Sequence, residues 1–304
     1  MESSVKVFNM ECRIWKRIVE FNFFTVTLLF ASFNSGLGFD STINDFNSTT
    51  NFNRTIEFDT SNIDQFIVGG DKASPGEFPS QAALCMVKES HIELRCASSI
   101  ISRSHCLTAG HCVHGLDHTP EIFKTIVGIT NVKHYDPEKD VYPVIEIFLH
   151  PEYENKLPPF CDVAVIKVKG DFASHGSLAP APLPRGPPET GQMCTATGWG
   201  LVNHEKKVIS PDLMKVDLAI RDPYECARIY HPQVEVDTVG CVCAGYERKK
   251  SICNGDSGGP LICRRGEVHG IASWGHAKCG EGAYPSVFTK VYEHLDFIKA
   301  CMKQ

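Results

Sequence analysis

No apolar run in these 304 residues is long enough to cross a bilayer comfortably. The longest, from Phe21 to Phe33, covers about a dozen residues where a spanning helix needs roughly 20, and Asn22 and small polar residues interrupt it. Lys6, Arg13, Lys16 and Arg17 precede it, so residues 1–38 resemble a secretory signal peptide cut near Gly38. No stable membrane association is expected. A membrane-anchored form that keeps this segment is the alternative, distinguished by where the secreted protein begins. An excess of basic charge is also missing: 30 Lys and Arg stand against 36 Asp and Glu, a net charge of −6. That balance argues against a general nucleic-acid binder, which needs a basic face. Metal-site spacing is lacking too. His111, His114 and His118 come without a matching Cys or carboxylate framework, so no metal and no required cofactor is expected.

What the chain does have is a glycine-rich turn around one serine: Cys253, Asn254, Gly255, Asp256, Ser257, Gly258, Gly259, Pro260. A hydroxyl that attacks a carbonyl needs a base to take its proton and donors for the oxyanion that develops. Glycines let the backbone approach a substrate without interference from a Cβ, and the N–H groups of Gly255 and Ser257 are the natural donors. A base and its orienting carboxylate lie upstream. The run Leu107, Thr108, Ala109, Gly110, His111, Cys112 ends an apolar strand on a histidine, and Cys161, Asp162, Val163 to Val168 opens another on an aspartate. Taken singly, a His beside a Cys and an Asp before a strand are more often structural.

These residues occur in the order His111, Asp162, Ser257, accompanied by Ile67 to Gly70, Thr197 to Gly200 and Ser273 to Gly275. From Ile67 to its C-terminus the chain resembles the chymotrypsin-fold serine proteases, the trypsin and chymotrypsin-like peptidases of family S1. The resemblance implies an all-β fold of two six-stranded antiparallel barrels with a C-terminal helix and the triad in the cleft between them. It implies peptide hydrolysis through an acyl-enzyme: Ser257 as nucleophile, His111 as general base and then acid, Asp162 holding the histidine tautomer, and Gly255 and Ser257 as oxyanion hole. Gly110 stands where relatives usually carry alanine, an exchange expected to matter little. A catalytically silent homologue serving as a binding module is the alternative, usually betrayed by a lost triad member; here all three stand.

Residues 39–66 shift to Asn, Asp, Ser and Thr with scattered Phe and read as a propeptide. Asn47 and Asn53 begin glycosylation acceptor triplets there. In the family, a cut before the residue at Ile67 frees an amino group that pairs with the aspartate at Asp256 and builds the oxyanion hole, which implies a zymogen with residues 67–304 as the catalytic domain. Asp64, Gln65 and Phe66 precede that bond, with no Arg or Lys for a trypsin-like activator.

The resemblance assigns the substrate pocket to Ser251, Ile252, Ser273, Trp274, Gly275 and Ser286. Ser251 lies where trypsin-like relatives place an aspartate, so no carboxylate is expected to pair with Arg or Lys. Ser286 replaces a glycine and narrows the depth, and the expected cleavage is after Phe, Tyr, Leu or Met. Since Phe66 meets that rule, activation by the enzyme itself in trans is a further expectation. Ile129 follows Gly128 where calcium-binding relatives carry a glutamate, so no calcium is expected. Protein or peptide substrates and protein inhibitors are the expected partners, and the protein is expected to be extracellular.

Fourteen cysteines in a secreted chain point to disulfides. The resemblance pairs Cys96 with Cys112, Cys194 with Cys263, Cys226 with Cys243 and Cys253 with Cys279. Removing Cys12 with the signal leaves Cys85, Cys106, Cys161, Cys241 and Cys301, an odd set that leaves room for an intermolecular disulfide. A bridge from Cys161 to Cys106 would stiffen Asp162. The basic run Glu247 to Lys250 reads as a solvated loop and the Pro-rich stretch Pro180 to Pro188 as the link between barrels. Apolar alternation in Thr125 to Gly128, Val144 to Phe148, Val163 to Val168 and Val268 to Trp274 predicts strands. Helical spacing in Val291 to Lys303 predicts a closing helix docked on the second barrel.

Overall fold

The computed structural model describes residues 69–89, 91–203, 208–246, 250–280 and 284–304. The signal segment, the propeptide with Asn47 and Asn53, the new terminus expected at Ile67, and residues 247–249 of the basic run lie outside the described residues.

The protein is mostly β. After the short β1 (Asp71–Lys72) come β2 (Gln81–Val87), β3 (Ile92–Ile100), β4 (His105–Thr108), β5 (Phe123–Val127), β6 (Val141–Leu149) and β7 (Ala164–Val168). Strands β2 to β7 close into an antiparallel barrel in the order β2-β3-β4-β7-β6-β5. Then follow β8 (Met193–Gly198), β9 (Leu201–Asn203), β10 (Val208–Ile209), β11 (Met214–Ala219), α1 (Pro223–Tyr230) and β12 (Cys241–Ala244). The chain ends with β13 (Pro260–Ile262), β14 (Val268–Trp274), β15 (Ser286–Lys290) and α2 (Leu295–Cys301). The second sheet runs β1-β11-β8-β13-β14-β15-β12. It curls back on itself: Ile220, just past β11, bridges to Ala244 of β12, with Arg221 N–H donating to Cys243 O at 2.8 Å and Gly245 N–H to Ala219 O at 2.9 Å. Six strands thus nearly complete a second barrel, and β1 adds a seventh on the outside.

The predicted strands appear at β5, β6, β7 and β14. The Pro-rich stretch runs between the lobes, pinned by Ala181 N–H to Ile100 O on one side and by Val268 N–H to Pro182 O on the other, at 2.8 and 3.0 Å. Helix α1 starts cleanly because Asp222 caps it, accepting from Glu225 N–H at 2.8 Å, and Pro223 occupies the first turn, where its missing N–H costs nothing.

The closing helix is present, and it docks against the first barrel as well as the second. Val291, Phe297, Ile298 and Cys301 share one apolar cluster with Leu107, Val165 and Ile166 of the first barrel and with Val268 and Ile271 of β14. The reason lies in β7, whose Ala164, Val165, Ile166 and Val168 are all buried. A strand apolar on both faces needs cover outside the barrel as well as inside, and the helix supplies it.

Four disulfides join Cys96 to Cys112, Cys194 to Cys263, Cys226 to Cys243 and Cys253 to Cys279, the same pairs the resemblance implies. Cys106 and Cys161 are not bridged. Each native bridge typically contributes about 2 to 5 kcal/mol. No helix among the described residues is long and apolar enough to cross a membrane.

Candidate active site

Two elements of the first barrel deliver His111 and Asp162. Strand β4 ends at Thr108 and passes into a single tight turn over Gly110–Cys112, which lifts His111 to the barrel rim while the disulfide at Cys112 ties it back to β3. Asp162 precedes β7, the strand paired with β4 through Thr108 and Ala164, so adjacent strands bring together residues 51 apart. His111 Nδ1–H donates to Asp162 Oδ2 at 2.8 Å, and the His111 backbone N–H donates to Oδ1 at 2.8 Å. Both carboxylate oxygens are thereby committed to one residue, which fixes the ring and leaves Nε2 as the nitrogen facing outward.

Ser273 of β14 adds a third bond, its hydroxyl donating to Asp162 Oδ2 at 2.5 Å. Thr289 of β15 donates to the Asp162 carbonyl at 2.8 Å. The second lobe therefore grips the aspartate of the first. The Asp162 side chain is 1% exposed and that of His111 28%. Burial alone pushes the Asp162 carboxyl upward, but the bond and charge of His111, the Ser273 hydroxyl and the His111 N–H outweigh it and hold the group below the usual carboxylate range.

The serine loop sits against the same rim. Ala97 N–H of β3 donates to Ser257 O at 2.8 Å, and Gly258 N–H to Ala272 O at 2.8 Å. Gly258, at φ +76°, packs so tightly that a Cβ there would lie 2.2 Å from Thr108 Oγ1 and 3.3 Å from Ala109 N. Ser257 is thus held beside the turn that carries His111. Among the described residues the Ser257 hydroxyl has no hydrogen-bond partner. Nor do the N–H groups of Gly255 and Ser257 donate to any protein group there, whereas those of Asp256, Gly258 and Gly259 do. A pair of unused N–H donors beside a serine hydroxyl can hold an oxyanion. Gly255 is obligatory: its φ is +97° and a Cβ would lie 2.8 Å from Gly200 Cα.

Asp256 points the other way, into the protein, at 1% exposure. Its Oδ1 accepts from Gly200 N–H and its Oδ2 from Cys253 N–H, both at 2.9 Å. Burial pushes its pKa up to about 6, against the opposing pull of those two bonds. Gly198 and Gly200 leave the room it occupies, since a Cβ on either would lie within 2.5 Å of the carboxyl group.

Of the residues expected to line a substrate pocket, Ser251 is buried at 8% exposure and its hydroxyl has no partner among the described residues. Ser286 Oγ accepts from Ile252 N–H at 3.1 Å, which ties the two segments together. A Cβ on Gly275 would meet nothing within 4 Å, so that side is open. The Trp274 ring packs edge-on against Tyr230, their centroids 4.9 Å apart. Ser273 spends its hydroxyl on Asp162 instead of on the pocket.

Sequence reading missed two supports. Thr289 carries no local motif that marks it. Tyr153 and Leu149 explain Gly110, where a Cβ would lie 2.8 Å from the Tyr153 ring and 3.0 Å from Leu149 Cδ1. His114 packs against Tyr153 at a tilt, with ring centroids 5.1 Å and planes 53° apart.

A histidine clamped by a buried aspartate beside a serine in a glycine turn is the arrangement found in peptidases of the serine class. The sequence model of the family described as Trypsin matches residues 67–298, and the chain belongs to the trypsin family. It is 34% identical over 244 residues to trypsin-1 of Astacus astacus, covering 77% of this chain and 99% of that protein. It is 31% identical over 245 residues to ovochymase of Halocynthia roretzi, where the match covers 77% of this chain but only 15% of that longer protein. Among solved structures, neuropsin, a serine protease expressed in the limbic system of mouse brain, aligns with a TM-score of 0.66 at 28% identity, covering 77% of this chain and 99% of that one.

Proposed function

We propose that the protein is a secreted endopeptidase, made as a zymogen, that cleaves peptide bonds through an acyl-enzyme. The observation that carries the reading is the double bond pair from His111 to Asp162 beside a serine whose flanking N–H donors are unused. In it, Ser257 attacks the scissile carbonyl while His111 Nε2 accepts its proton and later delivers it to the leaving amine. Asp162 stabilises the imidazolium. The N–H groups of Gly255 and Ser257 hold the oxyanion, a contribution of about 3 to 4 kcal/mol for each donor.

Specificity is read from Ser251. With a hydroxyl in place of a carboxylate at the pocket base, and Ile252 beside it, the pocket favours apolar P1 side chains: Phe, Tyr, Leu or Met. Cleavage after Phe66 would then expose Ile67, whose ammonium would pair with Asp256; a carboxyl pushed up to about 6 by burial has much to gain from such a partner. Residues 1–38 as signal, 39–66 as propeptide, glycans at Asn47 and Asn53, and an extracellular location complete the reading. The four disulfides support that compartment.

The test is to map by mass spectrometry the bonds cut in a diverse peptide mixture by protein beginning at Ile67, with Ser257→Ala as control. Cuts after aromatic and large aliphatic residues are expected from the parent alone. Cuts after Arg or Lys would overturn the pocket reading, and no cuts from the parent would overturn the catalytic one.

A further inference from the structure

Next to Asp162, through its neighbour Cys161, lies a group of side chains that the hydrolytic mechanism does not use. His150, at the end of β6, Cys161, immediately before Asp162, and His294, at the start of α2, each offer one ligand atom, and these atoms lie within 4.8 Å of one another. His294 and Cys161 are 4% and 7% exposed. The two imidazoles meet edge to face with centroids 5.1 Å apart. His294 Nε2 is sealed from solvent without a hydrogen-bond partner, an arrangement that costs stability unless something binds there. Cys161 is held in the left-handed region at φ 48°, rare for a non-glycine residue.

We propose that His150, Cys161 and His294 form a binding site for a thiophilic divalent cation of the Zn²⁺ class, whose occupancy slows turnover at the neighbouring triad. Two imidazoles and one thiolate are a borderline-soft donor set that suits zinc and leaves a fourth position for water. Magnesium and calcium, which take oxygen ligands, do not fit it. The other histidine and cysteine group, Cys96, His111 and Cys112, offers no thiolate because its cysteines are bonded to each other. Burial keeps His150 and His294 in the neutral form that ligates. On binding, Cys161 loses its thiol proton to solvent and the Sγ–metal bond forms. His150 Nδ1 accepts from Glu152 N–H at 3.2 Å, a long bond that the incoming ion displaces or reorients. The regulatory half of the proposal rests on the catalytic reading above. A positive charge anchored at Cys161 adjoins Asp162 and competes with the His111 imidazolium for that carboxylate.

Binding is measured first, on protein carrying Ser257→Ala, so that failure of the catalytic reading leaves the result intact. Titration with Co²⁺ is expected to give one equivalent bound, with a thiolate-to-metal charge-transfer band that Zn²⁺ displaces. Cys161→Ser abolishes the band and weakens Zn²⁺ binding by about 100-fold or more, beyond the 10- to 100-fold typical of losing an outer partner of a ligand. His294→Asn weakens binding similarly and serves if Cys161→Ser does not fold, with urea unfolding reporting the fold of each. Cys241→Ser leaves binding unchanged. Absence of the band, or its persistence in folded Cys161→Ser protein, would overturn the site. In the active protein, Zn²⁺ is expected to lower kcat in parallel with occupancy; full occupancy with unchanged kcat would overturn the regulatory half.

Discussion

Gly110→Ala is expected to destabilise the protein, although alanine is the residue that the family resemblance implies before His111. Two effects oppose each other. Gly110 lies in the turn Gly110–Cys112 without a positive φ, so alanine is conformationally allowed and gains about 0.4 to 1 kcal/mol by restricting the unfolded chain. Against this, the new Cβ would stand 2.8 Å from Tyr153 Cδ2 and 3.0 Å from Leu149 Cδ1. Neither neighbour yields freely: the Tyr153 ring is backed by His114, and Leu149 belongs to β6. Overpacking of this kind costs about 1 to 3 kcal/mol, so the net loss runs from about 0 to 2.6 kcal/mol, with its centre at about 1 to 2 kcal/mol. For a domain of this size that lowers Tm by roughly 2 to 8 °C. Urea unfolding of the disulfide-intact protein is the assay, run in the parent and in a Tyr153→Ala background. With the ring removed, the same substitution should become neutral or stabilising. If Gly110→Ala stabilises the protein while Tyr153 is present, the clash is not the reason for the glycine.

Ser273→Ala should cost about 1.5 to 3 kcal/mol near neutral pH, the usual weight of a bond to a charged group. Asp162 is held below its unfolded value of about 3.9, so its contribution is complete above that pH and is lost as pH falls through the folded value. The gap between variant and parent in urea midpoints should therefore narrow below about pH 4, and a constant gap would argue against a charge-assisted bond. Asp256 behaves in the opposite sense. Its folded pKa of about 6 lies above the unfolded one, so the folded state binds the extra proton between about pH 4 and 6, and stability of the uncut chain falls by about 3 kcal/mol as pH rises through that window. Asp256→Asn removes this slope, and a parent whose stability rises across the same window would contradict it.

Much of the site was legible in the chain because its geometry is made locally. The run from Cys253 to Pro260 needs its glycines for backbone reasons that act within a few residues, as the φ values of Gly255 and Gly258 show. The strands read in Thr125 to Gly128 and Val268 to Trp274 are real, but both are buried on nearly every residue, so short apolar runs bounded by turn residues mark them rather than a single buried face. The disulfide pairs and the His, Asp, Ser order were legible only through resemblance, since spacing alone does not say which cysteines meet.

The sequence by itself determined the mostly β character, the closing helix, the glycine turn around Ser257 and the absence of a carboxylate at Ser251. Tertiary structure alone decided which surface the helix covers, because β7 is apolar on both faces and its outer face takes whatever packs there. It alone decided that Ser273 serves Asp162, that Tyr153 requires the glycine at 110, and that His150, Cys161 and His294 converge. Each of these depends on side chains from separate elements meeting at one point. Contact between them leaves no periodic signature along the chain.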